Sequence, residues 1–322
     1  MQKLRTVFLG TPDIACGFLN RMAAAGHEIA GVISQPDRPV GRGLKMCCAP
    51  VNALAGELSL EAFKPASRAE LHSAIAELKP DLGVVVAYGR LIPEETLALA
   101  RYGFLNVHFS LLPKYRGAAP VQWTLINGEK VTGVTIFWLD KGMDTGPVLL
   151  RRELPVLPSD DAASLFARLT ELGGVLLDEA LAMVAAGDLR REPQSGEPSL
   201  APKLGREDAV LRFDRPAGEL LGRVRGLACG PKPRFTLALP DRLLTVQVAR
   251  AELAPGASGP GPAGTVLSVE GGKGFVVKCG DGGGLLIGLV KPEGKKEMPA
   301  ADFLNGLRLK AGDRLPAAPA DK

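Results

Sequence analysis

Residues 80–89 read PDLGVVVAYG, and this stretch decides the fold. The run Leu82–Ala87 is apolar on both faces. Successive strand side chains point to opposite sides, so such a strand must be covered on both. That is the pattern of a central strand in a parallel sheet flanked by helices.

Working outward, the same alternation continues. Upstream, LRTVFLG reads as a first strand, and PDIACGFLNRMAAAG as a helix with Pro12 near its start and Gly26 just past its end. HEIAGVIS is a second strand, and a helix is expected from about Ser67 to Leu78. Downstream come a short acidic-first helix (PEETLALA), a strand (GFLNVH), two further strands (TGVTIFWLD and GPVLLRRELPV) and a long helix over about Asp161–Ala186. This order predicts an α/β fold, a Rossmann-like, mostly parallel sheet with helices on both faces. The expected domain spans residues 1–189. Residues 190–205 are polar and rich in Pro and Gly and read as a linker. Residues 206–322 change character: a helical piece precedes short strand-like runs separated by turns such as DGGG and PEGKK, as in a small β-barrel.

The 322 residues are 46% apolar, enough to bury a core, and no apolar run reaches the ~18 residues that cross a bilayer. Five irregularly spaced cysteines make no disulfide framework, and the opening MQKLRTVFLG has no signal-peptide pattern. A cytoplasmic monomer with no membrane partner is expected. Charge is uneven: residues 1–205 carry 21 Lys+Arg against 22 Asp+Glu, residues 206–322 carry 18 against 13. The basic second half suits a polyanionic partner.

Several chemistries lack their residues. FLGTPD has one glycine where a dinucleotide fingerprint needs three. There is no GxxxxGK[ST], no CxxC and no Gly-x-Ser-x-Gly elbow, and the three histidines stand at 27, 72 and 108. The positive signal is NVHFSLLPKYRGAAP, residues 106–120. Ligands in open α/β sheets sit beyond the carboxyl ends of strands, and Asn106 and His108 stand at such an end, two residues apart and so on one side. Asn supplies an uncharged donor for an oxyanion; His exchanges a proton near neutral pH. Asp144, in the turn DKGMDTG, is a candidate to orient His108. With no Ser or Cys nucleophile beside them, the trio suggests a nucleophile supplied by the substrate, although a structural histidine and a simple turn aspartate fit the same residues.

NVHFSLLPKYRGAAPVQW together with TGVTIFWLDKGMDTGPVLL resembles the folate-dependent formyltransferases. The resemblance implies 10-formyltetrahydrofolate as formyl donor, no metal, catalytic roles for Asn106, His108 and Asp144, and folate contacts from Ser110, Leu111, Leu112 and Pro113. Three more segments (FLGTPDIACGFL, SQPDRPVGRGLKMCCAPV and GLVKPEGKKEMPAADFLNGLRLKAGDRL) are similar to family members that act on charged initiator methionyl-tRNA. They imply an OB-like second domain with a tRNA-facing surface at Lys291, Lys295 and Lys296, and an inserted loop whose Arg38, Arg42 and Lys45 meet the acceptor end. The chain departs from the family pattern at Phe109, at KMCCAPV and at ACGPKP, none of which is one of the catalytic trio. A formyltransferase for a small amine would share the trio but not need the loop or the basic domain; a non-catalytic RNA binder would not need the trio.

Overall fold

The computed structural model describes residues 3–40 and 45–315. They form two compact units: one holds the chain up to Pro120, Val131–Pro155 and Phe166–Pro202; the other holds Val121–Lys130, Val156–Leu165 and the chain from Lys203 onward.

In chain order, the elements up to the end of the first unit are β1 (Arg5–Gly10), α1 (Asp13–Ala24), β2 (Glu28–Ile33), β3 (Arg38–Val40), β4 (Lys45–Cys47), α2 (Pro50–Glu57), β5 (Ala62–Phe63), α3 (Arg68–Leu78), β6 (Leu82–Val86), α4 (Glu94–Leu97), β7 (Phe104–His108), α5 (Pro120–Ile126), β8 (Val131–Trp138), β9 (Val148–Pro155) and α6 (Ala162–Ala185). Most of α5 and the start of α6 belong to the second unit.

The first unit is built on a seven-stranded sheet of order β5-β2-β1-β6-β7-β8-β9. β6 lies between parallel β1 and β7 and is buried at every residue, as the apolar run at 82–86 requires. β8 and β9 run antiparallel at one edge, so the sheet is mostly parallel. On one face Val7, Leu9, Val85 and Phe104 share a core with Leu71 and Ile75 of α3. On the other, α6 approaches closely because Gly173 has no side chain: a Cβ there would stand 3.1 Å from Phe18 of α1 and 3.3 Å from Val107 of β7. The start of α3 is fixed by a reciprocal cap. Ser67 Oγ accepts the Glu70 N–H, and the Glu70 carboxylate accepts from the Ala66 N–H and the Ser67 hydroxyl. Those two bonds hold the Glu70 carboxyl below its ordinary pKa. β3 and β4 form a separate antiparallel ribbon.

Residues 192–201, inside the stretch expected to be a linker, lie along the first unit. Glu192 exchanges two backbone hydrogen bonds with Val148, of 2.7 and 2.9 Å, and Leu200 bridges Arg116.

The second unit continues with α7 (Ala217–Gly226), β10 (Arg234–Ala238), β11 (Leu243–Ala254), β12 (Val266–Glu270), β13 (Gly274–Lys278), β14 (Gly284–Pro292), β15 (Met298–Pro299) and α8 (Ala300–Gly306). Its antiparallel sheet has the order β10-β11-β14-β13-β12, with β15 on β14, consistent with the expected small barrel. Alternate strand residues, among them Phe235, Leu237, Val246, Val248, Phe275 and Val277, turn inward to one core with Leu220 of α7 and Leu304 of α8. α7 lies against the backbone of α5 through two glycines. A Cβ on Gly222 would stand 2.6 Å from the Ile126 carbonyl, and one on Gly226 2.8 Å from the Gln122 carbonyl. Gly222→Ala is therefore expected to lower unfolding free energy by about 1–3 kcal/mol, the usual cost of overpacking, as measured by urea denaturation; an unchanged midpoint would mean that the two helices separate freely.

Candidate active site

β7 ends at the carboxyl edge of the sheet, and its even-numbered residues share a side. That places Asn106 and His108 together on the wall of a cavity of about 1080 Å³. The turn after β8 brings Asp144 to the same cavity. The three residues separated by 38 positions in sequence are thus gathered at one site. The Asn106 amide has no hydrogen-bond partner among the described residues, so its donors are available to the cavity.

His108 is 6% exposed. Its Nε2 lies 2.9 Å from the Tyr115 carbonyl oxygen. A carbonyl only accepts, so Nε2 carries the proton and donates it, and Nδ1 is the basic nitrogen of the neutral ring. Nδ1 faces Asp144 Oδ2 at 3.7 Å, too long for a hydrogen bond but within strong Coulombic range of a protonated ring. The ring also sits edge-on to Phe137, with centroids 6.3 Å apart. Asp144 is itself held: Oδ2 accepts the Gly117 N–H at 2.7 Å, and its backbone is left-handed, with φ of 56°. Asp140 organises the same turn by accepting from the Gly142 N–H and the Thr145 hydroxyl.

Apart from Phe109, the remaining walls were not singled out from sequence. One side is the end of β6 and the turn after it, residues Val85–Ile92, where Ala87 and Gly89 have φ of 48° and 80°. The Tyr88 carbonyl is fixed by donors from Thr11 Oγ1 at 3.0 Å and Gln35 Nε2 at 2.8 Å. Burial pushes the Tyr88 phenol upward, against a smaller pull from Arg90. Another side is the first turn of α1 with Phe109 and Phe166, whose rings meet edge to face at 6.1 Å. Cys16 lies here; burial raises its thiol, with Asp13 and Glu57 adding to it. Phe109, the departure from the family pattern, is therefore a wall residue.

Ser110, Leu111, Leu112 and Pro113 are not among the residues lining the cavity. They belong to the loop that follows β7. Ser110 Oγ donates to the Lys114 carbonyl at 2.6 Å, and Thr135 Oγ1 donates to the Ser110 carbonyl while accepting the Leu112 N–H. The Leu112–Pro113 peptide bond is cis.

Of the residues expected to meet nucleic acid, Arg38 opens β3, is exposed, and donates to Gln35 Oε1. Lys45 opens β4 opposite Val40. Arg42 lies outside the described residues. In the second unit Lys291, Lys295 and Lys296 are all exposed and are brought together by the turn from β14 to β15. No group of three or more metal-ligating side chains occurs among the described residues, and none of their helices is long and apolar enough to cross a membrane.

Two family models match the chain: formyl transferase over residues 4–181 and the formyl transferase C-terminal domain over residues 203–308. This chain belongs to the formyl transferase family. Its curated relatives include the methionyl-tRNA formyltransferase of Elusimicrobium minutum, 38% identical over 96% of this chain and 99% of that one. That of Geobacter sulfurreducens is 41% identical over 98% of each. Among solved structures, the fold is shared with the N-formyltransferase of Helicobacter canadensis, 17% identical with a TM-score of 0.65 over 88% of this chain and 98% of that one. HypX of Aquifex aeolicus is 20% identical, with a TM-score of 0.63 over 94% of this chain and 47% of its own.

In this formyl transferase the geometry places a particular demand on Gly117. Its φ is 123°, and a Cβ would stand 2.7 Å from the Ala201 carbonyl. Gly117→Ala should cost about 1–3 kcal/mol of stability and displace the N–H that holds Asp144, lowering turnover as well. Thermal unfolding and a turnover assay check both; loss of neither would show that the 115–119 loop tolerates a shift.

Proposed function

We infer that this chain transfers the formyl group of 10-formyltetrahydrofolate to the α-amino group of methionine carried by initiator tRNA. The observation that carries this reading is the near-full-length similarity to methionyl-tRNA formyltransferases, at about 40% identity across both domains. The gathering of Asn106, His108 and Asp144 at one cavity supports it.

The cavity suits a folate. At about 1080 Å³ it is slightly larger than most small-molecule sites, roughly 300–1,000 Å³. Val85, Val86, Leu91, Ile92, Leu139 and Met143 offer apolar faces, and the 85–92 turn offers backbone groups for a polar ring edge. In this reading the ring rests on the turns after β6 and β8, and Ser110, Leu111, Leu112 and Pro113 supply the folate contacts that the family resemblance implies. When bound, the folate supplies an activated formyl carbon.

The chain's own residues then account for the rest. The Asn106 amide donates to the formyl oxygen as negative charge grows on it. His108 is prevented from turning by Tyr115, so Nδ1 alone faces the reacting groups and exchanges the proton of the attacking amine. Asp144, 3.7 Å away, offsets the positive charge of the ring when Nδ1 is protonated. The acyl acceptor is the nucleophile, which explains a site with neither Ser nor Cys beside the histidine.

The division of labour follows the two domains: formyl transfer by residues 1–189, together with the strand-like segment up to 202, and tRNA binding by residues 206–322. Lys291, Lys295 and Lys296 contact phosphates, which position the substrate without reading sequence. Arg38, Arg42 and Lys45 meet the acceptor end. The enzyme works as a cytoplasmic monomer.

Formyl transfer should be seen with methionine-charged initiator tRNA and not with uncharged tRNA or free methionine. Asn106→Ala should lower the rate by ~10²–10³, and His108→Ala should abolish it. Activity on a small amine instead would leave the site standing and remove the tRNA assignment. Binding of charged tRNA should weaken with salt, and replacing Lys291, Lys295 and Lys296 by Ala should flatten the slope of log K against log salt by about one per lost contact; an unchanged slope would place the phosphate contacts elsewhere.

A further inference from the structure

We propose that Gln194 is a positioning residue for the reaction, setting the spacing between His108 and Asp144; this rests on the formyl-transfer reading above. Its half-buried side-chain amide makes four hydrogen bonds. Oε1 accepts from Arg116 Nε at 3.1 Å and Nη2 at 2.6 Å. Nε2 donates to the Asp144 carbonyl at 2.9 Å and to the Gly146 carbonyl at 2.8 Å. Two donors and two acceptor sites are the full capacity of such an amide.

What those bonds join gives Gln194 its role. Arg116 stands between Tyr115, whose carbonyl takes the His108 Nε2–H, and Gly117, whose N–H holds Asp144 Oδ2. The other end of the amide grips the backbone of Asp144 itself. One side chain therefore ties the loop that orients the histidine to the turn that carries the aspartate. Both pieces need holding, because Tyr115 and Asp144 have left-handed φ of 62° and 56°, a region that side chains other than glycine keep only when their surroundings over-determine it.

The segment around Gln194 does the same with its backbone. Ser199 Oγ accepts the Tyr115 N–H at 2.9 Å, and the Ser199 carbonyl accepts the Arg116 N–H at 2.9 Å. Ala201 N–H donates to the Arg116 carbonyl at 2.7 Å, and the Ala119 N–H returns to Ala201 at 3.0 Å. At the other end Glu192 pairs with Val148, just past Asp144. Residues 192–201 are thus a strap across both catalytic loops, with Gln194 as its cross-brace. The side chain must be an amide. A carboxylate of the same shape would keep Arg116 but set a second oxygen against the carbonyls of Asp144 and Gly146.

The test uses the full chain with Gln194→Glu and Gln194→Met, the second matching its length without its polar ends. Steady-state constants for both substrates and the pH profile of kcat are measured beside the wild type. The expected result is a fall in kcat of roughly 10–10²-fold in both variants. KM for 10-formyltetrahydrofolate and for charged tRNA should stay within about threefold, and the limb of the profile governed by the His108–Asp144 pair should move. If Gln194→Met does not fold, Gln194→Glu, which keeps the Arg116 contact, decides. Wild-type kcat and an unmoved pH profile in the folded variant would overturn the proposal, as would a rise in both KM values at constant kcat. A wild type that does not formylate charged tRNA would overturn the underlying reading instead, and is recognised by its own control.

Discussion

The hydrogen bond from His108 Nε2 to the Tyr115 carbonyl is the constraint on which the site depends. It spends one ring nitrogen on the backbone and so determines which one does chemistry. Everything around it serves that choice. β7 delivers His108 buried and pointing the same way as Asn106; Phe137 meets the ring edge-on. Gly117 holds the carboxylate that faces Nδ1. A rotated ring would present the wrong nitrogen to Asp144 and break a buried hydrogen bond, and an unsatisfied buried polar group costs about 1–3 kcal/mol.

The sheet makes this arrangement possible. Parallel strands β1, β6 and β7 end together, so the loops that follow them converge on one cavity, to which the turn between antiparallel β8 and β9 adds Asp144. The fully buried β6 supplies the rigid centre, and the polar groups sit only where the strands stop. Asn106 and His108 thereby stand at the end of a rigid strand, while Asp144 and much of the wall are carried by turns.

How much of this could be read beforehand follows from the range of the forces involved. The strands, the long helix and the second, barrel-like unit are local patterns of apolar spacing and turn residues, and LGVVV at 82–86 alone implied a doubly covered sheet. Asn106, His108 and Asp144 were legible because two share a strand face and the third lies in a Gly-flanked turn. The cavity walls at 85–92 were not, since nothing in an apolar strand and its turn announces which backbone groups face a ligand. Nor does the sequence announce that Thr135, 22 or more positions away, ties down the backbone of Ser110–Pro113. The strap at 192–201 was hidden for the same reason. Its Pro, Gly and polar residues are those of a linker, and its purpose lies in hydrogen bonds to partners 44 to 86 positions distant. Equally, sequence order gave no sign that 121–130 and 156–165 cluster with the second unit.

The most direct test of the account is nitrogen NMR of the protein labelled with ¹⁵N-histidine, with His108→Gln used to assign its signals, at a pH where the ring is neutral. The account predicts a pyrrole-type, proton-bearing Nε2 and a bare pyridine-type Nδ1 for His108. A proton on Nδ1 with Nε2 bare would mean that the Tyr115 carbonyl does not hold the ring, and the site would have to be rebuilt around the opposite nitrogen.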